Sequence, residues 1–143
     1  MVTTFRELRV YREAFLAARR IFHVSKQWPK EERYALTGQI RRSSRSVNAN
    51  IAEAWRKRRY RKHFISKLSD ADAEAAETRA WLDFAVDYAY ISDEMYVDLD
   101  AAYDQVQSGL VAMMRDAPRW CGPAKTVREE MPTYFTDEKT PLK

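Results

Sequence analysis

The sequence predicts an all-α protein, an up-down-up-down antiparallel four-helix bundle with an irregular C-terminal tail. Three observations carry that prediction. Apolar residues recur at steps of three and four through four separate segments, which is the helical period. Only three glycines and five prolines punctuate 143 residues, and four of the prolines fall after residue 117. No spaced set of short β-branched runs calls for strands. Short connections force successive helices to alternate in direction. With 45% apolar and 13% aromatic residues, one domain over residues 1–116 has enough material for a core. Residues 117–143 lack periodicity and read as an extended or disordered tail.

Thr4 with Glu7 forms the pattern of a capping box, so the first helix is expected from about Phe5. Leu8, Tyr11, Phe15, Ala18 and Phe22 trace one stripe, and Val10, Ala14, Ala17, Ile21, Val24 and Trp28 a second. That apolar face is wider than a bundle core needs, which points to a subunit interface that includes Trp28. Pro29 ends the helix, and Glu31 and Glu32 suit the first turn of the next.

The second helix is predicted to run to about Lys57 on the line Leu36, Ile40, Ser43 or Ser44, Val47, Ile51 and Trp55. Asn48 and Glu53 read as members of a buried polar network that fixes register, and the two serines as small packing residues. After a turn around Arg58–Arg61, the third helix carries Phe64, Leu68, Ala71, Ala75, Thr78, Leu82, Val86 and Ala89 inward. Trp81, Phe84 and Tyr88 form an aromatic stripe away from that line, and a partner subunit would bury it. Ser92 is the expected N-cap of the fourth helix, whose core line is Leu99, Tyr103, Val106, Leu110 and Met113 before Pro118 stops it.

Charge is divided sharply along the chain. Residues 41–62 hold nine Lys or Arg and one acid, Glu53, whereas residues 70–116 hold twelve acids and two bases. The basic stretch comprises Arg41, Arg42, Arg45, Arg56, Lys57, Arg58, Arg59, Arg61 and Lys62, with Tyr60 among them. Such cations displace counterions from phosphate, and an interleaved ring can stack on an unpaired base, so RNA or DNA is the expected partner. The alternative is a scaffold in which the basic surface meets the acidic helices of a neighbouring subunit or partner.

Catalysis is not expected. A lone Cys121 and two histidines supply no nucleophile with a base beside it, and no phosphate-binding loop occurs. No cofactor is called for. Asp70, Glu74 and Glu77 share a helix face, but neither His23 nor His63 follows a glutamate by three, so no metal is expected. The single cysteine fits a reducing compartment. The charged N-terminus and the absence of any ~20-residue apolar run exclude a signal peptide and a membrane span and suggest the cytoplasm.

The residues Gln39–Trp55, Lys67–Thr78, Trp81–Phe84, the opening Phe5–Ala14 and Tyr90 resemble a bacterial four-helix-bundle family that includes proteins encoded in intervening sequences of 23S rRNA genes. The likeness covers about Phe5 to Arg115. It implies a non-enzymatic cytosolic bundle that assembles into a homo-oligomeric ring, commonly a pentamer. A related branch serves as the accessory protein of diversity-generating retroelement reverse transcriptases, which would make a reverse transcriptase and RNA the partners. Ala54 and Ala89 stand where glycine is frequent in relatives.

Overall fold

The computed structural model describes residues 1–122. It is built on four long helices: α1 (Arg9–Ser25), α2 (Leu36–Arg56), α3 (Arg61–Asp87) and α4 (Asp93–Arg115), followed by a short α5 (Ala117–Cys121). No strand occurs among the described residues. Each long helix packs on its neighbours in the order α1, α2, α3, α4 and back to α1, with no diagonal packing, as an antiparallel square bundle requires.

The Thr4–Glu7 capping box is present, but it opens a 3₁₀ turn over Phe5–Glu7, and α1 begins only after extended Leu8. Hydrogen bonds from the Thr3 backbone and side chain and from the Thr4 backbone hold the Glu7 carboxyl below its usual range. At its far end α1 stops at Ser25, short of Pro29. The chain then turns inward, so that Trp28 is 7% exposed and belongs to this chain's own core rather than to a subunit surface. The acids Glu31 and Glu32 lie in a separate 3₁₀ turn, Lys30–Glu32, before α2. Gly38 permits that entry, because a Cβ there would stand 2.9 Å from the Arg33 carbonyl oxygen.

The core lines follow the apolar period. Ile40, Val47, Ile51, Phe64, Leu68, Leu82, Leu99, Tyr103, Val106 and Leu110 are all buried. On α3 the line finishes at Ala85 rather than at Val86 and Ala89, because the helix ends at Asp87 and Ala89 takes a left-handed φ of 61°. Ser43 is more than a spacer: its hydroxyl meets that of Thr78 at 2.8 Å, a buried polar pair between α2 and α3. Asn48 ties helices together as expected, donating to the Tyr11 carbonyl at 2.9 Å. Glu53 does not join it. It stands on the surface in an ion pair with Lys67 at 2.7 Å.

Asp116 interrupts α4, and the chain resumes as α5, with Pro118 near its start where the missing N–H costs nothing. The first residues expected in the tail are thus helical, and Trp120 packs edge-on against Trp55 at 6.2 Å. The expectation for residues 123–143 lies outside the described residues.

Candidate nucleic-acid interface

The basic stretch does not form one surface. At 1.5 Å per residue, Arg41 and Arg56 are separated by about 22 Å along α2, and the two ends meet different surroundings.

Near the start of α2 each cation already has company. Arg41 donates to the Ser25 hydroxyl at 2.9 Å and to the Phe22 carbonyl at 3.4 Å, and its guanidinium lies 4.9 Å from the Phe22 ring centre. Arg42 faces α3, where it binds Glu74 at 3.1 Å and also pairs with Glu77. Hydrogen bonds to those two carboxylates raise its pKa further. Arg42 is therefore committed within the chain, because the acids of α3 that look solvated in the sequence fall one helix away. Arg45 stays exposed beside Phe22, 5.9 Å from its ring centre, without an ion pair among the described residues.

The other end, where α2 turns into α3, is more open. Arg56 and Arg59 are exposed and Lys57 half-buried, and none of the three has an acidic partner among the described residues. Arg58 is held flat over Trp55, 3.5 Å from the ring centre, and its Nε donates to the Trp55 carbonyl at 2.9 Å. Burial pushes its pKa down. Arg61 donates to the Gly122 carbonyl at 2.6 Å, which fastens the end of α5 to the start of α3. Lys62 is exposed in the first turn of α3.

Tyr60 is not available for stacking. It is the N-cap residue of α3 with an extended backbone, its ring turned in beside His63, and it is 5% exposed. The bend that places the flanking cations outside forces this side chain inside.

Sequence reasoning missed two residues at this end, Arg119 and Trp120. The helix α5 packs on α3 and leaves Arg119 exposed at the same end of the bundle, while Trp120 meets Trp55 edge-on. Asp-Ala-Pro at Asp116–Pro118 is a readable helix restart, with proline in the first turn, and was the available signal. Cys121 is the last residue of α5, and burial raises its pKa against the lowering influence of Arg61 and Arg58.

Of the aromatic stripe, Phe84 is 45% and Tyr88 49% exposed, with Trp81 half-buried beside them. Ring centres run 6.0 Å from Trp81 to Phe84 and 5.9 Å on to Tyr88. No grouping of three or more His, Cys, Asp or Glu suited to a metal occurs among the described residues, and no described helix is long and apolar enough to cross a membrane.

These features define a small helical bundle with a cation-rich end and an exposed aromatic ridge. The chain belongs to the family described as 23S rRNA-intervening sequence protein, which it matches over residues 6–112. Among solved structures it is similar to a protein of unknown function from the S23 ribosomal protein family of Bacteroides thetaiotaomicron VPI-5482. That likeness has 31% identity and a TM-score of 0.67, covering 74% of this chain and 95% of the other. No curated protein matches.

Proposed function

We propose that the protein is a non-enzymatic bundle that binds nucleic acid electrostatically through the α2–α3 turn. The observation that carries this reading is the set Arg56, Lys57 and Arg59, three cations without an acidic partner among the described residues. Arg58 and Arg61, pinned by Trp55 and Gly122, give that turn a fixed shape. Phosphate is the natural complement to such a group, since it gains from several cations at once and releases its own counterions. With the ring of Tyr60 turned inward, stacking is not part of the contact, and the reading predicts affinity for backbone without base preference.

Titration of a fluorescent single-stranded RNA at about 50 and about 200 mM salt tests this. The wild-type protein should lose affinity steeply between the two. The combined variant Arg56→Glu, Lys57→Glu, Arg59→Glu should bind at least about 100-fold more weakly, with a salt slope lower by about 2, as removal of three phosphate contacts from a single strand implies. Equal affinity of variant and wild type would overturn the reading.

A further inference from the structure

Between α1 and α2 the chain keeps an open groove of about 490 Å³. Ala49 and Ala52 of α2 are too short to fill the space beside the rings that α1 carries there, Tyr11, Phe15 and Phe22. Tyr11 stacks on Phe15 with 6.1 Å between ring centres, yet Phe15 stays 46% exposed, a large apolar surface left in water. Small-molecule sites occupy about 300–1,000 Å³ and are walled mostly by apolar and aromatic side chains with a few placed polar groups, as this groove is. Its charged groups are all of one sign. Arg19 lies 5.4 Å from the Phe15 ring centre and Arg45 5.9 Å from that of Phe22. Both are exposed, neither has an ion pair among the described residues, and no described acid lines the groove. Arg41 and Lys26 also lie against Phe22, at 4.9 and 4.7 Å from its ring centre, which makes that end strongly positive. Asn48 lines the groove as well and is 8% exposed. Its amide N–H donates to the Tyr11 carbonyl, while its side-chain oxygen is buried with no hydrogen-bond partner among the described residues. A buried acceptor left unpaired is costly, so that oxygen favours any ligand that brings it a donor.

We propose that the α1–α2 groove is a binding site for a small aromatic anion that carries an N–H or O–H donor. The rings of Tyr11, Phe15 and Phe22 take the aromatic body out of water. Arg19 and Arg45 hold the anionic head with charge-assisted hydrogen bonds, and the donor answers the Asn48 oxygen. Each feature excludes a simpler ligand. A neutral aromatic molecule would leave two guanidinium groups unanswered, and an inorganic anion would leave the rings wet. The site uses none of Arg56, Lys57 and Arg59, so it stands apart from the proposed phosphate contact.

Two fluorescent probes test each part of the site. Anilinonaphthalene sulfonate unites an aromatic body, an N–H and one sulfonate, and it brightens when its rings leave water. Phenylnaphthylamine has the same body and N–H without the sulfonate. Titrated into the full chain, the anionic probe should fill one saturable site and bind at least about tenfold more tightly than the neutral one, as a single charge-assisted hydrogen bond implies. The variant Arg19→Gln, Arg45→Gln should lose most of that preference while it still binds the neutral probe. Ala49→Phe fills the groove from an exposed position and should abolish binding of both. Circular dichroism should show both variants as helical as the wild type, and if Ala49→Phe loses helicity, Ala49→Leu repeats the test with the same outcomes. Equal affinity of the wild type for the two probes, or unchanged binding in the groove-filling variant, would overturn the proposal. So would evidence of another occupant: displacement of the anionic probe by single-stranded RNA, weaker probe binding as protein concentration rises, or tighter binding once Tyr134→Ser and Phe135→Ser alter the tail. These outcomes would give the groove to nucleic acid, to a second copy or to the chain's own C-terminus.

Discussion

Arg41–Arg45 and Arg56–Lys62 look alike as sequence and behave differently as structure. At the first, Arg42 is neutralised by Glu74 and Glu77, and Arg41 is occupied by the end of α1. At the second, hydrogen bonds fix Arg58 and Arg61 to backbone carbonyls, which leaves their charge uncompensated, and three neighbours have no acidic partner among the described residues. Linear charge density therefore overstates the available field wherever an acidic helix packs alongside. The dense acids of α3 face the first region and not the second, so the antiparallel packing of α2 on α3 decides which cations reach solvent.

The strongest way to break this contrast is to remove what fixes the second region. Trp55→Ala deletes a buried ring that contacts both Arg58 and Trp120. Urea denaturation should show a loss of about 3 kcal/mol. RNA affinity should fall less than in the triple glutamate variant, since the charges themselves remain. A stability equal to wild type would mean that α5 and the turn are not coupled through this indole.

A smaller effect separates two arginines on one helix. Arg42→Glu places a third carboxylate beside Glu74 and Glu77 and should destabilise by about 1–2 kcal/mol, most of it screened away in high salt. Arg45→Glu breaks no ion pair and should leave the stability of the single chain within about 0.5 kcal/mol. Similar denaturation midpoints for the two variants would erase the distinction between committed and open cations.

Much of the bundle was legible because its signal is periodic. Ile40, Val47 and Ile51, or Phe64, Leu68 and Ala71, can be buried on one helix face without knowledge of any partner. The misreadings cluster where the chain leaves a helix. Trp28 continues an apolar stripe on paper, yet α1 has ended three residues earlier, and the ring swings into the core against Tyr90. Tyr60 sits in a run of cations that suggests an outward ring, but its place at the α3 N-cap turns it inward. For Arg42 and Glu53 the decisive facts are cross-helix partners, Glu74 with Glu77 and Lys67, whose register no single helix encodes. The candidate site was legible as composition and illegible as surface.

Ala89 offers the finest adjustment, at the end of α3 away from both basic regions. Its amide donates to the Val86 carbonyl at 3.0 Å, and that of Tyr90 donates to the Ala85 carbonyl at 2.8 Å, the paired bonds of a Schellman ending. This ending requires a left-handed residue, and alanine holds φ 61° against the clash of its own Cβ. Ala89→Gly removes that strain but also gives the unfolded chain more freedom, so the net gain should be about 0.5–1 kcal/mol, read as a higher urea midpoint. Tyr88 and Tyr90 flank the position and stack edge to face at 5.7 Å, so the turn also sets one end of the aromatic ridge. Because the substitution keeps that geometry and touches no charge, the chain should become more stable while RNA affinity stays as in the wild type. An unchanged urea midpoint would show that alanine holds this left-handed ending without strain.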